Sequence, residues 1–197
     1  MNTVDASIAV ELRYASAQNF TGSVVDGYER ANAPVLRTDA AQALAAVQQQ
    51  LADQGLGLLI YDGFRPTRAV ADFVAWSKND DVRTRAEYYP SLEKPELFEL
   101  GYIAEQSGHS LGGTVDLTVI DLATGRPLDM GGSFDLFDER SHYAFTDVTT
   151  EQSSNRTLLR ETMIAAGFAP YAQEWWHFSY PVPAEEPRLD FALEPCG

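Results

Sequence analysis

Residues 107–116, SGHSLGGTVD, join a glycine-rich loop to a strand. A strand is predicted at residues 114–120, because apolar and polar side chains alternate from Thr114 to Val119, which is the pattern of a strand with one face in the core. Asp116 lies on the polar face of this strand, and His109 lies in the loop before it, where glycines let the backbone approach a ligand closely. The combination predicts a functional site at the start of the strand rather than two solvated side chains.

Residues 174–177, EWWH, supply the second half of this candidate site. The chain has only 3 histidines, and two of them lie in these two stretches, each near a carboxylate. Zinc hydrolases take three protein ligands from His, Asp and Glu and leave a fourth position open for water. His109, Asp116 and His177 form such a set, and Glu174 is left as a candidate base for that water. A metallohydrolase is therefore the first hypothesis.

The spacing of Glu174 and His177 imposes a geometric condition. Side chains alternate along an ideal strand, so residues three apart point to opposite faces of the sheet. Both side chains can reach one metal ion only if the strand bulges or bends there, or if Glu174 acts from the end of the strand. Trp175 and Trp176, between them, are expected in the core or in the walls of the site.

Arg65 is the third candidate, in residues 61–66, YDGFRP. It follows a short apolar run of strand length and precedes a helix predicted to begin at Pro66. Such a junction presents a side chain at the rim of a sheet, where a fixed cation can stabilise the oxyanion of a tetrahedral intermediate. His142, the histidine outside both stretches, is predicted to be structural or to support the site through a loop carbonyl or a ligand carboxylate.

Hydrophobic periodicity along the chain predicts an α+β fold, a single compact domain with a mostly antiparallel central sheet flanked by helices. The strands are predicted at residues 8–14, 56–61, 114–120 and 174–180. The helices are predicted from Thr38 or Asp39 to Gly55, from Pro66, at residues 95–100, and from Ser153 or Ser154 to Gly167. One domain is expected over residues 1–197, with residues 1–7 and 184–197 as flexible or extended tails.

Charge and composition exclude several classes of partner. The formal net charge of −15 repels nucleic acid and anionic lipid. No apolar run approaches the ~18 residues of a membrane helix, and the first residues lack the features of a secretory signal. A cytoplasmic protein is expected, or a periplasmic one if a signal has been removed. The single cysteine, Cys196, excludes an intramolecular disulfide and is expected to be a terminal thiol.

Several stretches together make the sequence resemble the D-alanyl-D-alanine dipeptidases, which are zinc enzymes of the vancomycin-resistance type. They are residues 12–15 (LRYA) with 19–22 (NFTG), 61–66 (YDGFRP), 107–116 (SGHSLGGTVD), 130–135 (MGGSFD) with Ser141 and His142, and 174–177 (EWWH). The resemblance runs from about Ile8 to Tyr180, nearly the whole chain. The two histidine motifs in this order are specific, whereas the Arg-Pro element alone would be weak.

The resemblance implies one zinc ion per chain, bound by His109, Asp116 and His177. It implies that Glu174 is the general base and acid and that Arg65 stabilises the transition state. The implied reaction is the hydrolysis of the free dipeptide D-Ala-D-Ala to two molecules of D-alanine.

The resemblance also implies that Ser107 and Tyr14 help hold the substrate, although it does not say which groups bind the ammonium and the carboxylate of the dipeptide. The implied fold is the compact α+β fold shared with D,D-carboxypeptidases and hedgehog signalling domains. Residues 113–115, GTV, stand where related proteins often carry Ser-Ala-Ile, next to the metal ligands but not among them. This departure bears on the substrate range rather than on zinc binding.

Two other functions remain open from the sequence. One is a zinc D,D-carboxypeptidase or endopeptidase that acts on cell-wall peptides, which would need an open groove instead of a small cavity. The other is a non-catalytic zinc-binding module of the same fold. The presence of Glu174 and Arg65 argues against the second alternative, because a structural zinc needs neither and usually has four protein ligands.

Overall fold

The computed structural model describes residues 2–195 of the chain, so Cys196 lies outside the described residues. The strands are β1 (Asn2–Thr3), β2 (Ala9–Val10), β3 (Val35–Leu36), β4 (Leu56–Asp62), β5 (Thr114–Asp121), β6 (Ala169–Tyr171) and β7 (Glu174–Ser179). The helices are α1 (Thr38–Ala52), α2 (Thr67–Ser77), α3 (Arg85–Tyr88), α4 (Lys94–Glu99) and α5 (Thr150–Ala165). Within this described part, no helix is both long and apolar enough to cross a bilayer.

Among residues 2–195, the central sheet has five strands in the order β2-β4-β5-β7-β6, and β1 pairs separately with β3. Only β2 runs parallel to its neighbour β4, while the other pairs are antiparallel. The predicted α+β class with a mostly antiparallel sheet is confirmed. Helix α1 contacts β4, and α5 contacts β5, β6 and β7. The two helices pack against each other as well, so they form one layer on the sheet.

The pairing register places candidate residues side by side at one end of the sheet. Asp116 of β5 pairs with His177 of β7 on one side and with Asp62 of β4 on the other. A register shift in β4 between Ile60 and Asp62 accompanies the second pairing. The three neighbouring strands therefore bring two carboxylates and an imidazole together before any loop contributes a side chain.

The alternation of apolar and polar residues in β5 predicts a strand with one buried face and one exposed face, but in the structure both faces are buried. Its polar residues Thr114, Asp116 and Thr118 are buried as fully as the apolar Val115 and Leu117. The strand lies in the middle of the sheet, so the face that carries the polar residues is covered by the loops of the candidate site. A polar residue on such a face needs a partner other than water.

Two predicted boundaries were wrong for local reasons. Only Ala9–Val10 of the predicted strand 8–14 pairs with the sheet, because the chain then forms a 3-10 turn, Arg13–Ala15, that buries the ring of Tyr14. Helix α5 begins at Thr150 rather than at Ser153 or Ser154. Thr149 and Gln152 form a reciprocal capping box at its start, which satisfies two backbone N–H groups.

Arg156 of α5 donates hydrogen bonds to three carbonyl groups of the long loop that follows β5. Its Nε donates to the Met130 carbonyl at 2.6 Å, its Nη2 to the Arg140 carbonyl at 2.7 Å, and its Nη1 to the His142 carbonyl at 3.0 Å. The side chain is 4% exposed. One buried guanidinium thus supplies the hydrogen bonds that this stretch of loop cannot make within itself.

Arg156→Met is expected to lower the free energy of unfolding by about 2–4 kcal/mol. Methionine keeps much of the apolar stem but removes the donor from three carbonyls. Loss of the buried bond to Met130 costs roughly 1–3 kcal/mol, and loss of the two partly buried bonds costs less. Urea denaturation measures the change. Arg160→Met is the matched control, since Arg160 is an exposed residue one turn along α5 whose guanidinium lies over the ring of Tyr143. Equal stability of the two variants would contradict the anchoring role of Arg156.

Candidate metal centre

Three side chains converge at the end of the sheet where β5 and β7 are paired. One ligand atom from each of His109, Asp116 and His177 lies within 4.8 Å of the other two. His109 Nε2 lies 3.3 Å from Asp116 Oδ2, and His177 Nδ1 lies 3.0 Å from Asp116 Oδ1. The residues predicted as a ligand set from sequence are therefore one cluster in space.

His109 is held by a short 3-10 turn, Gly108–Leu111, directly before β5. The Oγ of Ser107 accepts a hydrogen bond from the His109 backbone N–H at 3.2 Å and so caps the turn. The His109 ring donates from Nδ1 to the Gly63 carbonyl at 2.7 Å. A carbonyl can only accept, so the proton of a neutral ring is on Nδ1 and the lone pair of Nε2 faces the cluster.

The cluster has unpaired polar atoms that suit a metal ion. His109 Nε2 and Asp116 Oδ1 are among the buried polar atoms of the described residues that make no hydrogen bond of good geometry, although other atoms of the cluster lie within 3.3 Å of each. Buried polar atoms are normally satisfied, so these two indicate a missing partner. Two imidazole nitrogens and one carboxylate are the donors of a catalytic zinc site with an open position. The residues present therefore fit a zinc ion.

The charge states of the cluster agree with metal binding. Burial alone would raise the pKa of Asp116, but the neighbouring His109 and His177 outweigh it and hold that pKa below its usual value. Burial lowers the pKa of His177, although the contact with Asp116 opposes the shift. An ionised carboxylate and a neutral imidazole are the forms that ligate metals.

A bulge in β7 brings Glu174 to the same side as His177. Pro170 of β6 pairs with Phe178, but the next residue, Tyr171, already pairs with Glu174, so the register shifts between them. Extra residues on one strand bend it and re-aim its side chains. Glu174 Oε2 consequently lies 3.4 Å from His177 Nδ1. The structure therefore contains the bend in the strand that Glu174 and His177, three residues apart, need in order to reach the same site.

Glu174 lies in a buried and acidic environment. Burial, followed by the charges of Asp116 and Asp135, raises its pKa well above the usual value, and Arg65 opposes this shift. A carboxyl with a raised pKa is closer to the pH at which it can both accept and return a proton.

Arg65 is fixed at the rim of the same cluster by a carboxylate that sequence reasoning missed. Its Nε and Nη2 both lie 2.9 Å from Asp62 Oδ2, and its Nη2 lies 3.4 Å from Asp116 Oδ2. Asp62 is fully buried and also accepts a hydrogen bond from the Tyr28 hydroxyl at 2.6 Å. The Arg65 guanidinium stacks 5.0 Å from the ring centroid of Tyr14. These contacts leave the cation little freedom to turn away from the site.

Asp135 is the second residue that the sequence did not single out. It accepts a hydrogen bond from the Tyr14 hydroxyl at 2.9 Å, and both side chains are buried. Its backbone has a φ of 58°, a left-handed conformation that is uncommon for a residue other than glycine. Burial, then the charge of Asp116, raises its pKa well above the usual value, while Arg65 opposes the shift. A nearby cation would favour its ionised form.

All seven residues predicted from the sequence as site residues line one cavity of about 250 Å³. Asp135 lines it as well, and so do several aromatic side chains, namely Tyr14, Phe20, Phe73, Tyr102, Phe137 and Tyr171. The volume is below the roughly 300–1,000 Å³ of pockets that take drug-sized ligands. The cavity suits a small polar molecule.

His142 is separate from the metal ligands. Its Nε2 lies 2.6 Å from the hydroxyl oxygen of Tyr102, which lines the cavity. The partner is therefore a phenol, and not the loop carbonyl or ligand carboxylate that the sequence suggested.

The chain is similar to known proteins over most of its length. The family model described as "D-ala-D-ala dipeptidase", of peptidase family M15, matches residues 1–192. A D-alanyl-D-alanine dipeptidase of Streptomyces coelicolor is 46% identical over 186 residues, which is 94% of this chain and 90% of that protein. The proteins of that name from Enterococcus faecalis and Escherichia coli are 43% and 35% identical. They cover 85% and 92% of this chain, and in each case 83% of the relative.

Proposed function

The chain belongs to the D-Ala-D-Ala dipeptidases of the M15 metallopeptidase family, and from this premise we propose that it hydrolyses free D-Ala-D-Ala to two molecules of D-alanine with one zinc ion. The observation that carries the proposal is the convergence of a three-residue ligand cluster, a buried carboxyl and a fixed guanidinium in one small cavity. His109, Asp116 and His177 would hold the metal. A zinc ion held there acts as a Lewis acid, which polarises a carbonyl and lowers the pKa of water.

Glu174 is proposed to move the protons of the reaction. It takes a proton from the attacking water and later delivers one to the amine of the departing D-alanine. Its position beside His177 in the bulged strand supports this role, because the carboxyl is near the ligands while the cluster already has three other donors. One residue can serve both transfers because the carboxyl that gains a proton in the first step is the acid required in the second.

Arg65 is proposed to stabilise the oxyanion that forms on the carbonyl oxygen of the scissile bond. Donors that are fixed before the reaction stabilise developing charge without reorganising. The pairing with Asp62 and the stacking on Tyr14 provide this fixation.

Arg65→Lys is expected to leave the zinc content unchanged and to lower kcat by about 10²–10³-fold, the usual effect of losing an oxyanion donor. Lysine keeps the charge but not the planar fork of donors. Steady-state kinetics with metal analysis measures both quantities. Arg68→Lys is the control, since Arg68 is partly exposed and pairs with Asp190 away from the cavity. A wild-type rate for Arg65→Lys would remove the guanidinium from the mechanism.

The two charged ends of the dipeptide need partners in the cavity. Asp135 is proposed to accept the ammonium, because it is a cavity-lining carboxylate that belongs neither to the ligand cluster nor to the proton transfer. The Tyr14 hydroxyl orients it by donating to Oδ2. Ser107 is proposed to donate to the substrate, since its Oγ accepts from the His109 N–H and its own proton remains available.

The cavity size favours a dipeptidase over a carboxypeptidase or endopeptidase, which would act on longer wall peptides. A non-catalytic zinc module is disfavoured by the positions of Glu174 and Arg65, which a structural zinc would not need. Measurement of amine release from D-Ala-D-Ala, L-Ala-L-Ala and a pentapeptide ending in D-Ala-D-Ala distinguishes these functions. Hydrolysis of D-Ala-D-Ala alone is expected. Preferred cleavage of the pentapeptide would establish the carboxypeptidase instead, and cleavage of none of the three would reject catalysis.

A further inference from the structure

We propose that the hydrogen bond between Tyr102 and His142 closes the cavity wall beside Asp135 and thereby limits the substrate to a dipeptide. The inference rests on the proposed dipeptidase function and assigns His142 as a positioning residue that acts through Tyr102. The two side chains are separated by 40 residues in sequence, yet their polar atoms are 2.6 Å apart.

Tyr102 belongs to a wall segment without regular secondary structure. Residues 100–106 connect α4 to the turn that carries His109 and contain no helix or strand of their own. The Ile103 N–H donates to the Leu97 carbonyl of α4 at 3.0 Å. The start of this segment is tied to the β6–β7 turn, since the Tyr171 hydroxyl donates to the Gly101 carbonyl at 3.0 Å and Gln173 Nε2 donates to the Leu100 carbonyl at 2.6 Å. The side chain of Tyr102 is tied separately, to His142 on the opposite loop.

The wall continues from Tyr102 toward the proposed ammonium site. The ring centroids of Tyr102 and Phe137 are 5.7 Å apart, and those of Phe137 and Phe20 are 5.1 Å apart. Phe137 lies two residues after Asp135 in the same loop, and Asp135 and all three aromatic residues line the cavity. A peptide extended beyond its amine at Asp135 would therefore meet these rings.

His142 is a rigid support for this wall. Its carbonyl accepts from the buried guanidinium of Arg156, and the preceding Ser141 donates from Oγ to the Leu136 carbonyl at 2.5 Å. The loop is thus held by buried groups, and the Tyr102 hydroxyl is positioned by its hydrogen bond to His142. Breaking the Tyr102–His142 bond should release Tyr102 more than it disturbs the loop.

The test compares two substrates in variants that break the bond from either side. Tyr102→Phe removes the phenol hydroxyl, and His142→Ala removes the imidazole. The substrates are D-Ala-D-Ala and Gly-D-Ala-D-Ala, and the readout is the ratio of their kcat/KM values for release of the C-terminal D-alanine. We expect the ratio of tripeptide to dipeptide to rise about tenfold in each variant, the effect of one hydrogen bond, with unchanged zinc content.

The double variant separates positioning from a general structural effect. If His142 acts through Tyr102, the double variant should have the selectivity of Tyr102→Phe alone, because the effects of residues that share one interaction do not add. His142→Gln, which keeps a polar atom near the position of Nε2, should restore part of the selectivity. Tyr143→Phe is the control, since its hydroxyl bonds the Trp175 carbonyl at 2.9 Å and does not line the cavity.

An unchanged ratio in both single variants, or additive effects in the double variant, would overturn the inference. The same peptides are also titrated calorimetrically into Glu174→Gln protein with and without Tyr102→Phe, which gives the length preference without turnover. Failure of the wild-type protein to hydrolyse D-Ala-D-Ala would reject the proposed function, while the calorimetric comparison would still decide whether Tyr102 excludes the longer peptide.

Discussion

Replacing His177 or His109 by alanine is expected to lower the zinc content from about one per chain to near zero and to reduce the rate by more than about 10³-fold. Each imidazole supplies one of the three donors of the cluster. The loss in rate follows from the several kcal/mol that a Lewis acid contributes to the transition state. Metal analysis after dialysis, together with hydrolysis of D-Ala-D-Ala, measures both effects.

The matched control for these variants is His142→Ala, which removes an imidazole outside the cluster and is expected to retain the metal. Wild-type protein treated with a chelator should remain largely folded by circular dichroism, because a domain of this size has its own hydrophobic core. A metal-free preparation with full activity would refute the zinc mechanism. Loss of zinc from His142→Ala would show that the ligands are misassigned.

Glu174→Gln is expected to lower kcat by about 10²–10⁴-fold, the usual contribution of general acid–base catalysis, or by more because one group serves both proton transfers. Glutamine keeps the size and the hydrogen-bonding ability of the side chain but cannot accept the proton. The zinc content should stay near the wild-type value, since Glu174 lies beside the cluster and is not one of its three donors. Single-turnover kinetics with metal analysis separates the chemical step from binding.

Two outcomes would revise the assignment of the carboxylates. If Glu174→Gln released the metal while Asp116→Asn retained it, the two residues would exchange the roles of base and ligand. If Glu174→Gln were as active as the wild type, proton transfer through this residue would be wrong. Asp116→Asn is expected to weaken zinc binding, because the neutral amide is a poorer ligand than the carboxylate.

The residue types of the candidate site were predictable from the sequence, because few residues can ligate a metal. The presence of two histidines near carboxylates led to the hypothesis that His109, Asp116 and His177 form one ligand set. The structure places these three side chains together. Asp62 and Asp135 were not predictable in this way. Their partners Tyr28 and Tyr14 are 34 and 121 residues away in sequence, so in the sequence each resembles an ordinary turn or loop aspartate.

The fold was predictable where local pattern and packing agree. The apolar periodicity of α1 and α2 gave helices close to those observed, and the strand at residues 56–61 was correct to within one residue. The strand predicted at residues 8–14 was wrong beyond Val10, because the chain leaves the sheet and forms a turn that buries the Tyr14 ring. Alternation also could not reveal that the polar face of β5 is buried, because that depends on loops distant in sequence.

Because Asp116 pairs directly with His177, binding of the proposed zinc ion would select one alignment of strands β5 and β7. Side chains alternate along a strand, so a slip of β5 by one residue would replace Asp116 in the cluster by Val115 or Leu117, which point the other way in the correct alignment. A slipped chain would keep much of its backbone pairing but could not bind the ion with the same donors. Because a ligand stabilises only the states that bind it, zinc added during refolding should favour the correctly aligned sheet over its slipped competitors.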